Sequence, residues 1–372
     1  MSIIALMAGG TGGHLFPAMA LAQELRRRGH VIHLMTDERV AGYGDNFPAR
    51  ETHIIPSATP SIRNPIKLAV AAAKLSWGTV VAWGAMGRIK ADVAVGFGGY
   101  PTVPSFLAAR MRGVPGIVHD QNAVLGRANL LLARYANALA LSFEKTAKAE
   151  QFGAKATLTG NPIRDRVRAV ADTAYPALGA GDPINILVFG GSQGARAFGE
   201  LVPPAIALLP MELRSRLQLV QQVRAEDMDR VAEAYRQSKV NVDLAPFFPD
   251  LPEKMAKSHL VISRSGASTI AELCVIGRPA ILVPLPGAID ADQKNNALVL
   301  DRAGGGWIAE QASLTPEILA ARMKSLFEAP EALAKAAAAA KSLGRPDAVA
   351  LLADLAEKLA AGRKPADLGE PA

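Results

Sequence analysis

The residues with the clearest chemical use lie in two glycine-rich segments, GGTGG at residues 9–13 and GGSQG at residues 190–194. Glycine lets backbone N–H groups approach an anion such as phosphate at the start of a helix. His14 follows the first segment directly, and an imidazole there can accept a proton near neutral pH. The pattern therefore predicts two anion sites and a candidate general base. The alternatives are plain tight turns and a histidine that only bonds backbone groups.

The glycine spacing does not fit two common nucleotide motifs. A dinucleotide fingerprint needs glycine at its first, third and sixth positions, and counted from Gly10 the sixth position is Leu15. Asp37, at the end of the second predicted strand, can still imitate the acidic ribose ligand, so an NAD-dependent oxidoreductase remains a rival. The chain contains no GKS or GKT sequence, which argues against ATP binding through a P-loop.

Both glycine segments lie between an apolar run and a helical pattern. Ile3–Met7 and Ile184–Phe189 are typical of buried strands, and residues 16–28 and 197–209 are typical of the helices that follow. Further apolar runs alternate with helical patterns at residues 31–35, 93–97, 116–119, 217–221, 260–263 and 280–283. This alternation predicts an α/β fold of two Rossmann-like domains, whose parallel sheets face each other across a cleft.

Composition and charge narrow the class of protein. The predicted domains are residues 1–161 and 162–345, with a C-terminal helix and loose tail at 346–372. The 372 residues are 50% hydrophobic and 20% charged, which excludes wholesale disorder. A single cysteine, Cys274, excludes an internal disulfide and fits a reducing cytoplasm. Residues 1–160 hold 17 Lys and Arg against 9 Asp and Glu, so this half is expected to meet an anionic partner. No stacking aromatic series supports nucleic acid.

Residues 63–90 contain the material for contact with a membrane surface. Lys67 and Lys74 lie seven residues apart on one helical face, near Leu75, Trp77 and Trp83. Apolar and aromatic side chains can enter the lipid interface while lysines meet anionic headgroups. The alternative is an ordinary helix packed on the first sheet. Because the two lysines interrupt this run and the N-terminus lacks a signal-peptide pattern, we expect no membrane-spanning helix.

Six motifs in order resemble the MurG family, the peptidoglycan N-acetylglucosaminyltransferases of glycosyltransferase family 28, over essentially the whole chain. They are GGTGGHLFPA (9–18), GFGGYPTVP (96–104), HDQN (119–122), GNPIR (160–164), GGSQGA (190–195) and SRSGASTIAEL (263–273). The resemblance implies a GT-B fold and an inverting transfer of N-acetylglucosamine from UDP-GlcNAc to the 4-hydroxyl of the muramoyl sugar of lipid I. The product, lipid II, serves peptidoglycan synthesis and through it cell shape and division.

The resemblance also implies the surroundings of the enzyme. No metal or other cofactor is expected. The enzyme is expected to be peripheral on the cytoplasmic face of the inner membrane, with the anionic membrane surface and other cell-wall synthesis proteins as partners. A different GT-B enzyme that uses a UDP-sugar, either another lipid glycosyltransferase or a UDP-GlcNAc epimerase, remains the alternative.

The resemblance assigns roles to individual residues, with His14 as the general base. The implied UDP-GlcNAc site consists of Thr11, Gly12, Gly13, Asn122, Arg164, Ser192, Phe248, Ser268, Thr269, Glu272 and Gln293. Loops for the acceptor and its pyrophosphate hold Gly10, Gly98, Gly99 and Tyr100. Glu272 would bind the ribose, although Thr269-x-x-Glu272 is also the pattern of a helix capping box. The simple alternative for Arg164 is an ordinary surface arginine. For Phe248 it is core packing, and for Gln293 it is a solvated side chain.

Overall fold

The computed structural model describes residues 1–9, 12–42, 47–60, 64–191, 196–287 and 290–363. The chain forms two compact units, one of residues up to Arg164 together with those from Asp347 onward, the other Asp165–Pro346. The C-terminal helix therefore belongs to the first unit. Most of the tail that the sequence predicted to be loose, from residue 364 onward, lies outside the described residues.

The first unit contains a seven-stranded parallel sheet with the order β3-β2-β1-β4-β5-β6-β7. Its strands are β1 (Ile3–Met7), β2 (Val31–Thr36), β3 (Glu51–Ile54), β4 (Val93–Gly96), β5 (Gly116–Asp120), β6 (Ala138–Leu141) and β7 (Ala156–Leu158). The central strands are apolar on both faces, as expected where helices cover a parallel sheet on each side. Every residue from Ile4 to Met7 is fully buried.

Helices cover both faces of this sheet. They are α1 (Gly12–Arg27), α2 (Pro65–Ile89), α3 (Thr102–Met111), α4 (Arg127–Leu132) and the C-terminal α14 (Ala348–Ala360). Leucines of α1 and α14 share one core with Ile4 and Leu6 of β1, whereas α2 and α3 pack on the opposite face. Arg28, which follows α1, is held to α14 by Asp354 at 2.5 Å and Glu357 at 2.8 Å.

The second unit contains a six-stranded parallel sheet with the order β10-β9-β8-β11-β12-β13. Its strands are β8 (Ile184–Phe189), β9 (Leu217–Gln222), β10 (Val242–Ala245), β11 (Leu260–Ser263), β12 (Ala280–Leu282) and β13 (Gly306–Ile308). Its helices are α5 (Asp165–Arg168), α6 (Arg196–Ala207), α7 (Met211–Arg214), α8 (Met228–Gln237), α9 (Leu251–Lys257), α10 (Ala267–Ile276), α11 (Asp292–Arg302), α12 (Pro316–Phe327) and α13 (Pro330–Ser342). The predicted α/β class, with two Rossmann-like parallel sheets, is confirmed.

Two helices differ from their predictions. α1 begins at Gly12 rather than at residue 16, so the glycine segment itself forms the first turn and His14 is a helical residue. The alanine-rich sequence of residues 331–360, which by its helix propensity predicts a single helix, forms two helices, α13 and α14. Between them Gly344 lies so close to α10 that an added Cβ would stand 2.7 Å from the carbonyl oxygen of Cys274, and Pro346 cannot continue a helix.

Helix α2 corrects the expectation about membrane-spanning segments. By length and composition alone, its 25 residues suffice to cross a membrane, so the two lysines do not exclude a span on those criteria. Its C-terminal half nevertheless packs into the first unit through Ala82, Ala85 and Met86. At Gly78 an added Cβ would stand 2.0 Å from the carbonyl oxygen of Pro56. Tight packing on the unit thus explains this half of the helix without a membrane.

Candidate active site

The loops that carry the predicted acceptor residues meet at one edge of the first sheet. Strands β1, β4 and β5 are parallel neighbours, so their carboxyl ends place the following loops side by side. The Thr102 hydroxyl donates to the carbonyl oxygen of Gly98 at 2.7 Å and to that of Met7 at 3.3 Å. The φ angle of Gly99 is +77°, and an added Cβ would stand 3.3 Å from Cδ2 of His14. The Gly98–Gly99 turn therefore lies against His14.

A series of hydrogen bonds runs from His14 into the interior of the first unit. Nδ1 of His14 is 3.0 Å from Oε1 of Gln121. Nε2 of Gln121 lies 2.9 Å from Nδ1 of His119, and Nε2 of His119 lies 3.0 Å from the carbonyl oxygen of Gly160. His119 and Gln121 are almost completely buried, whereas His14 is half-buried. Only the His14 end of this series reaches the surface.

This series fixes which nitrogen of His14 carries a proton. A carbonyl oxygen can only accept, so His119 must donate from Nε2 and accept at Nδ1 from the Gln121 amide. The Gln121 oxygen then accepts from Nδ1–H of His14, so in the neutral imidazole Nε2 is the nitrogen without a proton. Complete burial lowers the pKa of His119 to about 4, so its ring is neutral at pH 7 and the series holds. Nε2 of His14 is thus available as a proton acceptor, as a general base requires.

Asp120 shapes the turn that carries Gln121 and Asn122. It is buried, and its carboxylate accepts from the backbone N–H groups of Asn122 at 2.9 Å and Gly126 at 3.0 Å, and from Nδ2 of Asn129 at 2.9 Å. Burial raises the pKa of Asp120, and the three donors oppose that rise. Asn122 itself is half-buried beside this turn. The HDQN motif is therefore a rigid turn at the end of β5.

Arg164 is the last residue of the N-terminal segment of the first unit, and it lies close to the start of α1. Its guanidinium carbon lies 4.9 Å from the centre of the Phe16 ring, a cation–π distance, and the residue is half-buried. The preceding residues, Asn161 and Ile163, are buried. Arg164 is thus packed against α1 and is not the freely solvated arginine of the simple alternative.

In the second unit, the start of the second glycine segment is joined to the segment predicted to meet uracil. Gln222, at the end of β9, accepts from the N–H of Gly190 at 3.1 Å and donates to the carbonyl oxygen of Pro246 at 3.1 Å. The next residue, Phe247, is exposed, whereas Phe248 is buried beneath Nζ of Lys254 at 5.0 Å. Phe248 therefore contributes core packing, in line with the alternative raised for it.

The structure overturns the capping-box alternative for Glu272. Helix α10 begins at Ala267, its N-cap residue is Gly266, and no side chain caps it. Thr269 is therefore the third helical residue and cannot act as the N-cap that a capping box requires. The pattern Thr269-x-x-Glu272 lies wholly inside the helix. Glu272 is 7% exposed and faces the interior of the second unit one turn further on.

Hydroxyl groups surround the start of α10. Within the described residues, the buried Oγ atoms of Ser263, Ser265 and Ser268 have no hydrogen-bond partner. Buried hydroxyls without a partner are costly, and here they accompany the positive end of a ten-residue helix. Ser268 and Thr269 thus lie where an anion would be bound. Nearby, Oε1 of the half-buried Gln293 accepts from the N–H of Leu285 at 3.0 Å, which fixes one end of its side chain.

The predicted site residues divide between the units. The first unit holds Gly12, Gly13, His14, Gly98, Gly99, Tyr100, Asn122 and Arg164, and the second holds Phe248, Ser268, Thr269, Glu272 and Gln293. Gly10, Thr11 and Ser192 lie outside the described residues. Gln121 was not among the predicted site residues. Its place in the quoted HDQN motif, directly after a buried strand, was the available signal.

Asp37, which kept the oxidoreductase rival open, is buried and paired through one of its two carboxylate oxygens. Oδ2 accepts from Nε of Arg39 at 2.6 Å, whereas the buried Oδ1 has no hydrogen-bond partner. Asp37 and Arg39 line a cavity of about 260 Å³, together with Tyr100, Lys74 and residues 55–59. Arg39 thus occupies one of the two carboxylate oxygens that a ribose would use.

The chain matches the glycosyltransferase family 28 N-terminal domain over residues 4–141 and the family 28 C-terminal domain over residues 185–352. It is 54% identical over 95% of both chains to a protein of Methylobacterium sp. (strain 4-46). It is also 51% identical, over 98% of this chain and 97% of the other, to a protein of Mesorhizobium japonicum. Both are named UDP-N-acetylglucosamine--N-acetylmuramyl-(pentapeptide) pyrophosphoryl-undecaprenol N-acetylglucosamine transferase.

Two solved structures are similar to this chain. The crystal structure of Acinetobacter baumannii MurG has a TM-score of 0.78 and 30% identity, covering 96% of this chain and 100% of that one. A UDP-GlcNAc 2-epimerase from Neisseria meningitidis, solved with UDP-GlcNAc, has a TM-score of 0.64 at 15% identity, over 95% of this chain and 99% of that one. The epimerase therefore shares the fold alone. The family matches, the full-length relatives and the MurG structure place the chain in glycosyltransferase family 28.

Proposed function

We propose that this enzyme transfers N-acetylglucosamine from UDP-GlcNAc to the 4-hydroxyl of the N-acetylmuramoyl sugar of lipid I, producing lipid II. The observation that carries the choice of substrates is the identity of about half of all residues, over nearly full length, with relatives named for this transfer. The alternative, an epimerase, has only a shared fold in its favour. The product makes the enzyme part of peptidoglycan synthesis.

The chemistry assigned to the first unit is proton removal by His14. The oxygen of the acceptor hydroxyl attacks C1 of the donor sugar as the bond from C1 to the phosphate oxygen of UDP breaks. The hydroxyl proton passes to Nε2 of His14, and the bonding electron pair leaves with UDP. Attack from the face opposite the leaving group inverts C1. Nε2 is suited to this role because Gln121 accepts the proton on Nδ1.

The second unit is proposed to hold the UDP part of the donor. The N-terminal end of α10, with the unpartnered hydroxyl of Ser268 and with Thr269, would meet the diphosphate. Glu272 would accept from the ribose hydroxyls, and Gln293 would contact the sugar. We keep Arg164 and Asn122 of the first unit, and Thr11 and Ser192, as further donor contacts implied by the family resemblance.

We propose that the diphosphate needs no metal ion, since helix N–H groups, hydroxyls and a guanidinium can stabilise the leaving group. The expected result is that UDP release continues at an unchanged rate in excess EDTA. The measurement is the initial rate before and after chelation, with added Mg²⁺ as the control. A rate that collapses in EDTA and returns with Mg²⁺ would contradict a metal-free transfer.

The acceptor is assigned to the first unit. Its cavity of about 260 Å³ adjoins the loop of Gly98, Gly99 and Tyr100 and is lined by Lys74, Tyr100 and the pair Asp37 and Arg39, with Glu38 beside them. Lys74 is the cationic group there that would meet a phosphate or carboxylate of the acceptor. Tyr100 is half-buried between this cavity and the loop beside His14. The cavity is therefore a candidate subsite for part of the acceptor.

The assay that tests the proposed function supplies UDP-GlcNAc with a soluble lipid I analogue. UDP release only when the acceptor is present supports the transfer. Formation of a C2 epimer without acceptor would replace it with the epimerase alternative, and UDP-GlcNAc binding without turnover under any acceptor would indicate a sensor or scaffold. Nicotinamide fluorescence that changes on addition of protein would revive the oxidoreductase rival.

Membrane association is proposed for the N-terminal half of α2. Residues 65–70, which include Lys67, are all exposed. Lys74 and Trp77 are also exposed, and Leu75 is half-buried. Trp83 differs, because the guanidinium carbon of Arg112 lies 3.6 Å from the centre of its ring. We therefore assign contact with the cytoplasmic surface of the inner membrane to the first four turns of the helix, which include Trp77, and place the boundary at Trp83, which is stacked on Arg112.

Replacing Lys67 and Lys74 with Glu is expected to weaken binding to anionic vesicles by about 10-fold or more, because each lysine near such a surface contributes roughly 1 kcal/mol. The measurement is sedimentation with vesicles that contain anionic lipid. The matched control replaces the exposed Lys324 and Lys335 of the second unit with Glu, which changes the net charge equally. If both double variants bind the vesicles equally weakly, the overall charge of the protein, and not this helix, accounts for the loss of binding.

Replacing Gln121 with Leu is expected to lower kcat by roughly 10-fold, the equivalent of about one hydrogen bond, because Nδ1–H of His14 loses its acceptor. Gln121→Glu keeps an acceptor, and its carboxylate favours the imidazolium form of His14. That variant is expected to retain turnover while the acidic limb of its pH–rate profile moves to higher pH. If both variants had the kcat and the pH–rate profile of the wild type, Gln121 would have no part in the mechanism.

A further inference from the structure

Three side chains capable of binding a metal ion meet at the outer edge of the first sheet, outside the loops that hold His14. His33 lies in β2, and Glu51 and His53 lie in the edge strand β3. The parallel register pairs His33 with Glu51 and Met35 with His53. Because side chains two residues apart share a face of a strand, all three project from the face that α2 covers.

The distances between the candidate ligand atoms suit a small divalent ion. Nδ1 of His33 is 3.2 Å from Nε2 of His53, and Oε2 of Glu51 lies 4.0 Å and 3.6 Å from these two nitrogens. Zinc bonds of about 2.0–2.2 Å in a tetrahedron place ligand atoms roughly 3.3–3.5 Å apart. Two distances must shorten by a few tenths of an ångström. The Glu51 side chain is largely exposed and has room to make that adjustment.

The two histidines share a hydrogen bond and lie among charged groups. Without metal, one imidazole donates N–H to the other at 3.2 Å; a metal ion would replace that shared proton. The positive charges of Arg50, near His33, and of Arg88, near His53, oppose a cation, and the carboxylate of Glu51 offsets part of them.

We propose that His33, Glu51 and His53 form a site for a zinc-class divalent ion that fastens the edge strand β3 to β2. Two imidazoles and one carboxylate are a ligand set that zinc accepts, with water completing the coordination. β3 has only four residues, and a bond from each strand to one ion would hold it in register. The site is separate from transfer chemistry, for which no metal is proposed.

The test uses the untagged, full-length protein after chelation and dialysis, titrated with zinc chloride by calorimetry. We expect one equivalent to bind, Tm to rise with zinc, and Co²⁺ to give the visible bands of a tetrahedral site. His53→Ala and Glu51→Gln are expected to weaken binding by about 10-fold or more. Glu51→Gln changes an exposed side chain, so it remains folded if His53→Ala does not.

The matched control is His30→Ala in the same unit, where Nε2 of His30 lies 2.7 Å from Oε1 of Glu357 without a second histidine. This variant is expected to bind zinc as the wild type does. Absence of zinc binding, or equal binding by wild type and both site variants, would overturn the proposal. The transferase activity of the zinc-free protein is expected to equal that of the zinc-loaded protein. Whether zinc binds or not, the proposed function is therefore unaffected.

Discussion

Replacing His14 with Ala is expected to lower kcat by about 100-fold or more, the usual contribution of a general base, while the KM for UDP-GlcNAc is expected to change little. The reason is that Nε2 of His14 is the unprotonated end of the series through Gln121 and His119. UDP binding is assigned to the second unit, so it does not depend on this ring. The measurement is acceptor-dependent UDP release under saturating donor.

The pH–rate profile separates a base from a positioning group. In the wild type, kcat/KM falls on the acidic side as the imidazole takes up a proton and loses its lone pair. In His14→Ala that limb is expected to disappear. His30→Ala serves as the control, since it removes a histidine of the same unit that is held by Glu357. Unchanged turnover in His14→Ala would exclude His14 from proton transfer.

Replacing Glu272 with Ala is expected to raise the Kd for UDP-GlcNAc by about 100-fold, because hydrogen bonds to a charged acceptor contribute roughly 1.5–3 kcal/mol and two ribose hydroxyls are available. Since α10 begins at Ala267, two residues before Thr269, the loss is not expected to arise from a missing cap. Calorimetric binding of UDP and of UDP-GlcNAc measures the effect.

A ligand without the 2′-hydroxyl tests this assignment directly. Glu272→Ala is expected to weaken the binding of 2′-deoxy-UDP less than that of UDP, because one partner of the carboxylate is already absent. Glu317→Ala, in the first turn of α12 in the same unit, is the control for removing a helical glutamate. A fall in Tm with unchanged UDP affinity would show that Glu272 is structural.

The strands were predictable because their information is local. Ile184–Phe189 is apolar at every position except Asn185, and the structure has a strand with the same bounds. The start of α1 was not predictable, because glycine has a poor helix propensity and only packing on the sheet makes Gly12 helical. The break between α13 and α14 has the same kind of cause: the close approach of Gly344 to Cys274 is a tertiary contact.

Of the candidate site, residue types could be predicted from motifs but contacts could not. His14 and Gln121 are 107 residues apart, and only the pairing of β1, β4 and β5 brings their strand ends together. The Thr269-x-x-Glu272 pattern is ambiguous in sequence. It fits a capping box at a helix start, but it also fits two residues inside a helix that begins earlier, as α10 does. The roles assigned to Asn122, Arg164 and Gln293 remain predictions.

The return of α14 to the first unit makes the second unit an insertion within it, since the chain passes from one to the other at residues 164–165 and again at 346–347. The buried leucines of α14 complete a core built from β1 and α1. During synthesis, the half of the protein made first therefore stays unfinished until the last helix has left the ribosome. A fragment cut at residue 161 would expose that core face, whereas residues 165–346 hold a continuous stretch suited to expression alone.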